Sequence, residues 1–288
     1  MSDFSHISVI LPAKNEEDTL RDVLNGVRRH APGAQVIVVD DGSNDRTGAL
    51  ARELGATVIS HPVAMGNGAA IKTGVRHATG DVVVCMDSDG QHDPAEIPRL
   101  VECLKGGYAM AVGARSGDGQ ATRGRWLANG FYNRFASWMT NHAIRDLTSG
   151  FRAAEAAKFR EFLHLLPNGF SYPTTITMAF LRAGYPVMYL PIGVQKRNGK
   201  SHIRPIRDGL RFLLIIFRVG TLYSPLKLFV PVSATFFLLG LGYYLYTYVV
   251  HSRFTNMSAL LFVTSVVVFL IGLVSEQITA LTYSQRRE

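Results

Sequence analysis

The chain has 288 residues, 47% of them hydrophobic, with 30 Lys and Arg against 22 Asp and Glu and only two cysteines. That length supports one core of ordinary size plus an appendage, and the low cysteine count excludes a disulfide-stapled secreted scaffold. The charge is unevenly placed: residues 1–100 carry 9 Lys/Arg and 14 Asp/Glu, whereas residues 101–225 carry 17 and 6. The basic middle runs into apolar segments, which favours anionic lipid headgroups or lipid phosphates as partners over nucleic acid.

Residues 1–17 begin acidic and contain a five-residue apolar run that reads as a strand, so no signal peptide is expected. Strands are expected at residues 7–11, 35–39, 57–59 and 82–86, each a short β-branched run followed by turn residues. Helical patterns follow at 16–29, 45–54, 68–78 and 94–105, the last opening on a proline whose missing N–H costs nothing there. The alternation implies βαβ units, a mostly parallel sheet and an α/β fold. Ligands of such sheets sit beyond the carboxyl ends of the strands, so the loops at 12–16, 40–45 and 87–93 carry the interest.

Farther on, a strand is expected at 108–113, helices at 126–140, 155–165 and 173–183, a loop at 146–152 and a closing strand at 187–190. Residues 195–202, rich in Lys, Gly and Ser, read as an exposed loop. Residues 203–221 set Arg204, Arg207, Arg211 and Arg218 against Ile206, Leu210, Leu213, Leu214 and Phe217, the pattern of an interfacial amphipathic helix or a packed surface helix. Residues 228–250 and 257–275 contain no Lys, Arg, Asp or Glu, and each run can cross about 30 Å of hydrocarbon as a helix. They predict a transmembrane hairpin with its turn at 251–256. Arg218, Lys227, Arg286 and Arg287 flank its ends against Arg253 alone in the turn, which puts the main domain in the cytoplasm at the inner membrane of a multi-pass protein. Cys85 and Cys103 are then expected reduced, as buried small apolar residues. Gly240, Gly242 and Gly272 would permit close helix packing and a homo-oligomer. The expected division is a catalytic domain at 1–202, an interface helix at 203–225, a hairpin at 226–281 and a cytosolic tail at 282–288.

Asp40 and Asp41 end one apolar strand and are followed by Gly42, Ser43 and Asp45. Asp45 can cap the next helix. Adjacent carboxylates repel unless something accepts them, and acids at a strand end can bind ribose hydroxyls or a base edge, although a solvated turn has the same sequence. Asp87-Ser88-Asp89 repeats the arrangement one strand later, beside Gln91, His92 and Asp93, and such oxygen donors suit a hard cation, Mg²⁺ or Mn²⁺, bridged to diphosphate oxygens. Gly66-Asn67-Gly68 lacks the third glycine of a dinucleotide loop, and Gly199-Lys200-Ser201 lacks the upstream glycine of a P-loop.

Three segments in order, Ile7-Ser-Val-Ile-Leu-Pro12-Ala-Lys-Asn15-Glu16, Val39-Asp40-Asp41-Gly-Ser-Asn-Asp45-Arg-Thr47 and Met86-Asp87-Ser-Asp89-Gly-Gln91-His92, resemble the successive signatures of family 2 glycosyltransferases. Val112-Gly-Ala-Arg115 and Asp146-Leu-Thr-Ser149-Gly150-Phe151-Arg152 narrow the resemblance to the polyprenyl-phosphate branch, similar to dolichol-phosphate mannosyltransferase. The resemblance covers residues 6–202. It implies a GT-A fold, with Pro12, Ala13, Asn15, Glu16, Asp40, Asp41, Asp87 and Ser88 around the nucleotide of a nucleotide sugar. It implies a metal at Asp87, Asp89 and Gln91, and Arg115, Arg125 and Ser149 toward acceptor phosphate or sugar diphosphate. The family's loop Arg-x-x-Gly-x-Ser-Lys is here Lys196-Arg-Asn-Gly199-Lys-Ser201-His202, which offers Lys196, Lys200 and Ser201 as phosphate contacts.

The reaction so implied is inverting transfer of a hexosyl group from a UDP- or GDP-sugar to a polyprenyl phosphate. A phosphate monoester is already anionic, so no strong general base is required. Beside Asp89, Arg115, Arg152 and Lys200 are the candidates to hold the negative partners together; Asp146 is a candidate base, with loop structuring the stronger reading. A processive polysaccharide synthase would need a Gln-x-x-Arg-Trp motif, whereas Gln120-Ala-Thr-Arg123 is followed by Gly124. A non-catalytic nucleotide-sugar binder would have no need of Asp87, Asp89 and Gln91 together.

Overall fold

The structure is a computed structural model that describes residues 4–115, 123–169, 172–193, 217, 220–221 and 223–284. It divides into two compact units, Met1–Ile203 and Arg204–Glu288. The first is built on a seven-stranded sheet of β1 (Ile7–Ala13), β2 (Gln35–Asp40), β3 (Thr57–Ser60), β4 (Val82–Cys85), β5 (Met110–Arg115), β6 (Arg152–Glu155) and β7 (Val187–Ile192). The order is β3-β2-β1-β4-β6-β5-β7, parallel throughout except that β6 runs antiparallel to both β4 and β5.

Around the sheet run α1 (Glu17–His30), α2 (Thr47–Glu53), α3 (Asn67–His77), a 3-10 turn (Pro94–Glu96), α4 (Ile97–Lys105), α5 (Arg123–Thr140), α6 (Ala156–Glu161) and α7 (Tyr172–Arg182). The central strand β1 is apolar because both faces are covered: Ile7, Val9, Ile10 and Leu11 are fully buried. Helix α1 meets one face through Leu20, Val23, Leu24 and Val27 at helical spacing. Strand order reverses at β1, with β2 on one side and β4 on the other, and the crevice beyond their carboxyl ends is where such sheets place ligands.

The expected elements match these within a few residues, with three differences. Strand β6 replaces the end of an expected loop; its sequence, Arg-Ala-Ala-Glu, has no β-branched residue, and it is a strand because β4 and β5 pair with it on both sides. The helix expected to reach residue 165 stops at Glu161, where the amides of Phe162, Leu163, Leu165 and Leu166 turn to carbonyls three residues back. The helix expected from residue 94 starts as a 3-10 turn capped by the Asp93 carboxylate on the Ala95 amide at 2.9 Å. The segment 203–216, with most of the expected interfacial helix, lies outside the described residues.

The second unit contains α8 (Pro225–His251) and α9 (Asn256–Ser284), both long and apolar enough to cross a membrane. They are joined by a short turn in which Ser252 adopts a left-handed backbone. Leu238, Leu239, Val249, Val263 and Ile278 face outward, as hydrocarbon solvent requires. Ser233 and Ser265 donate reciprocally to each other's carbonyl oxygens at 2.9 Å, and the Glu276 carboxylate accepts from the Leu226 amide at 3.3 Å. Two of the glycines expected to serve an oligomer are used inside the hairpin. A methyl on Gly272 would lie 2.6 Å from Phe229 Cβ, and one on Gly240 would lie 3.1 Å from Leu261 Cβ; only Gly242 has open space. Gly272→Ile is therefore expected to cost about 1–3 kcal/mol of packing, seen as a lower unfolding midpoint by circular dichroism in detergent, while Gly242→Ile leaves the midpoint unchanged.

Candidate functional site

A cleft of about 540 Å³ opens at the β1/β2/β4 strand ends. Pro12, Ala13, Lys14 and Glu16 form one wall, Ala64, Met65, Gly66, Asn67 and Ala70 the other, with Asp41, Asp87, Ser88 and Asp89 between them. Ser88 holds the arrangement together. Its hydroxyl donates to the Pro12 carbonyl at 2.7 Å, and its own carbonyl accepts from Thr19 Oγ1 at 2.8 Å, which ties the β4 loop to the start of α1. That hydroxyl is buried and committed, so Ser88 braces the cleft rather than offering it a hydroxyl.

The two adjacent acids after β2 part company. Asp41 turns into the cleft and accepts from His61 Nδ1, the Met65 amide and the Gly66 amide, each at 2.8 Å. Burial acts to raise its pKa, but these contacts outweigh burial and hold it below the usual carboxylate value. The same bonds fix the 61–66 segment that forms the opposite wall. Asp40 turns away, accepting from the Ser43 amide at 3.0 Å and lying against Gly48 of α2, where any Cβ would come within 2.6 Å of Oδ2. Its assignment to the nucleotide is corrected to a turn support. Asn15 is corrected in the same way: at positive φ, its carboxamide accepts from the Asn44 amide at 2.8 Å and its own amide donates to Ser43 Oγ, clasping two loops beside the cleft. Asp45, expected to cap α2, stands one residue before the N-cap Arg46 and accepts from the Thr47 amide at 2.9 Å in a local turn.

Asp87 and Asp89 meet the cleft at the end of β4. Asp87 accepts from Asn67 Nδ2 at 3.4 Å and lies 3.7 Å from His92 Nε2. Burial would raise it, while His92, Asn67 and the charge of Arg152 leave it below the usual carboxylate value. Gly150 packs against it so closely that an added Cβ would sit 2.5 Å from Asp87 Oδ2. Asp89 Oδ1 accepts from the Gln91 amide at 3.1 Å, so Gln91 orients the carboxylate through its backbone and does not line the cleft. Among the described residues no three His, Cys, Asp or Glu side chains form a metal cage. A hard cation would take a few protein oxygens, from Asp89 and Asp87, and complete its shell from ligand and water, the manner usual for Mg²⁺.

The basic candidates distribute differently from expectation. Arg115 forms a two-point ion pair with Asp146, Nε to Oδ2 at 2.7 Å and Nη2 to Oδ1 at 2.9 Å, and also contacts Thr148. Asp146 further accepts from the amides of Thr148 and Ser149. Burial raises its pKa, yet Arg115 and these donors hold it below the usual value, which corrects Asp146 from candidate base to loop anchor. Arg152 is fully buried, donating to the Pro173 carbonyl at 3.0 Å, to Thr177 Oγ1 at 3.1 Å and to the Ser149 carbonyl, so it cannot touch an acceptor. The Ser149 side chain is buried too and is likewise corrected. Arg125 stands in α5; its side chain, with Lys196, Lys200 and Ser201, lies outside the described residues. Cys85 is buried, its thiol pushed up to about 12 by that burial, whereas Cys103 is only partly buried.

Sequence reasoning missed the wall made by 64–67 and 70. The signal is in the sequence: Gly66-x-Gly68 opens a helix after a strand, a pattern that marks a close backbone approach even without the third glycine of a dinucleotide fingerprint. Lys14, the single cation among the described residues that line the cleft, stands inside the first motif, between Ala13 and Asn15.

Acidic loops at the ends of β2 and β4, in a sheet of this order, define a GT-A glycosyltransferase. The chain belongs to glycosyl transferase family 2, whose profile matches residues 8–163, and residues 224–281 match the GtrB C-terminal hairpin. It is 28% identical to the glycosyltransferase AglJ of Haloferax volcanii over 98% of this chain and 96% of that one. It is 31% identical to the polyprenol monophosphomannose synthase of Mycolicibacterium smegmatis over 68% of this chain and 82% of that protein. Among solved structures, glucosyl-3-phosphoglycerate synthase from Mycobacterium tuberculosis, in complex with Mn²⁺, UDP-glucose and phosphoglyceric acid, superposes with a TM-score of 0.60 at 25% identity, covering 74% of this chain and 79% of that one.

Because the folded pKa of Asp146 is depressed, the stability its pair contributes is fully present above the ordinary carboxylate pKa and is lost as pH falls through the folded value. Asp146→Asn is expected to cost about 3–5 kcal/mol at neutral pH by leaving Arg115 without its partner. The gap from the parent protein should begin to narrow below about pH 4 and close only as pH falls through the depressed folded value, as read by denaturant unfolding across that range.

Proposed function

We propose that the chain transfers a hexosyl group, with inversion, from a UDP- or GDP-sugar to a polyprenyl phosphate at the cytoplasmic face of a membrane. The observation that carries this reading is the convergence of Asp41, Asp87 and Asp89 on one cleft in a chain that also bears a two-helix apolar hairpin. The mycobacterial and haloarchaeal relatives support the acceptor, since polyprenol monophosphomannose synthase and a dolichyl-phosphate hexose transferase are among them. The Mn²⁺ and UDP-glucose of the solved relative support a nucleotide donor and a divalent cation.

In this reading Pro12, Ala13 and Asp41 receive the nucleoside, with the 64–67 wall closing over it. Asp89 and Asp87 would hold the cation, which when bound neutralises charge growing on the leaving diphosphate. Arg115, fixed by Asp146 and still partly exposed, presents its remaining surface to a phosphate. The acceptor phosphate attacks the anomeric carbon from the side opposite the diphosphate; being anionic already, it needs no base, which agrees with the loss of Asp146 from that role. The hairpin keeps the acceptor's tail in hydrocarbon while its phosphate lies at the headgroup plane. The working division remains a catalytic domain at 1–202, an interface segment at 203–225, a membrane hairpin at 226–281 and a cytosolic tail, in a multi-pass inner-membrane protein.

Purified full-length protein, a panel of UDP- and GDP-sugars and a short polyprenyl phosphate provide the test. Nucleotide release should require both the lipid phosphate and Mg²⁺ or Mn²⁺, and Asp89→Ala should lower turnover by on the order of 100-fold. The reading fails if no donor is consumed while Asp89→Ala leaves nucleotide binding unchanged. A product longer than one sugar would favour a processive synthase instead.

A further inference from the structure

Arg152 is among the largest side chains that are completely buried in the described residues. Among the described residues no carboxylate lies within ion-pair distance of it. A buried guanidinium without a counter-ion is costly, and here it meets uncharged groups: the carbonyls of Ser149 and Pro173, the Thr177 hydroxyl, the Met110 sulfur and the ring of Tyr172, 5.7 Å from Cζ. Arg152 Nε has no partner, so hydrogen bonding alone does not account for an arginine at this position.

The anion that answers it is in the cleft. Strand β6 lies antiparallel beside β4 with Arg152 opposite Cys85, two residues before Asp87. Gly150, two residues before Arg152, lies against the Asp87 carboxylate itself.

We propose that Arg152 is an electrostatic positioning residue: from behind the floor of the cleft its charge offsets one of the three carboxylates, so that the diphosphate of a nucleotide sugar meets less repulsion on entry. The proposal rests on the reading of the cleft as a nucleotide-sugar site. It has a signature that a purely structural arginine lacks, because a buried positive charge acts with opposite sign on cations and anions.

The experiment uses the full chain in detergent and titration calorimetry with four probes: Mn²⁺ alone, UDP and GDP in EDTA, and their uncharged nucleosides. Arg152→Met should tighten Mn²⁺ binding by about tenfold, weaken the preferred nucleoside diphosphate by about tenfold and leave its nucleoside unchanged. Arg152→Lys, which keeps the charge with one donor group in place of a fork, should retain all affinities within about threefold. Weakening of every probe in Arg152→Met, nucleoside included, or a shift of Mn²⁺ and diphosphate in the same direction, overturns the proposal. Where Arg152→Met does not fold, Arg152→Lys decides: retained Mn²⁺ and diphosphate affinities support the charge, and loss of diphosphate binding overturns it. Failure of the underlying reading looks different, since the parent protein itself would then bind neither UDP nor GDP, and the inference would fall with it.

Discussion

Bringing three carboxylates to one cleft in the absence of ligand is an electrostatic problem, and much of the polar structure around β1, β2 and β4 answers it. Asp41 is stabilised by two backbone amides and His61, Asp87 by Asn67, His92 and the buried charge behind it, and Asp89 by the Gln91 amide. Several of these donors also belong to the wall: Met65, Gly66 and Asn67 line the cleft. The 61–66 segment hangs on Asp41, and the loop that carries Gly150 lies against Asp87. Charge placement and cleft shape are therefore one property: neutralising an acid would release the segment that its carboxylate holds.

The sequence was most legible where periodicity and burial agree. Strands β1 to β4 are short apolar runs covered on both faces, and their position in a parallel sheet follows from the helices between them. The acidic strand ends were legible as a site because polar residues at the end of a buried strand have few structural reasons to be there. Their separate roles were not legible. Asp40 and Asp41 are neighbours in sequence, yet alternation along an extended strand sends one toward α2 and the other into the cleft, and only the packing of Gly48 and the 61–66 segment decides which. Arg152 and Asp146 show the same limit for long-range pairs. A basic residue near a phosphate motif reads as a ligand until burial removes it, and Asp146 reads as a base until Arg115, 31 residues away in sequence, is found on it. Strand β6 was invisible because its four residues have no strand character of their own.

The membrane hairpin was legible from length and hydropathy alone, and its internal bonds were not. Hydrocarbon offers no competing hydrogen-bond partners, so the reciprocal serine contact between α8 and α9 counts as packing rather than as solvent-like polarity. The same holds for Glu276, which in sequence is a stray acid near a helix end and in the structure meets the first free amide of the neighbouring helix.

That last contact joins the start of one helix to the end of the other, while the serines join their middles and the short turn joins their far ends. Three tie points along two antiparallel rods couple their movement. In a bilayer thinner or thicker than the apolar stretch, a pair tied in this way would share any tilt, and a change in lipid thickness would become a change in angle common to both legs.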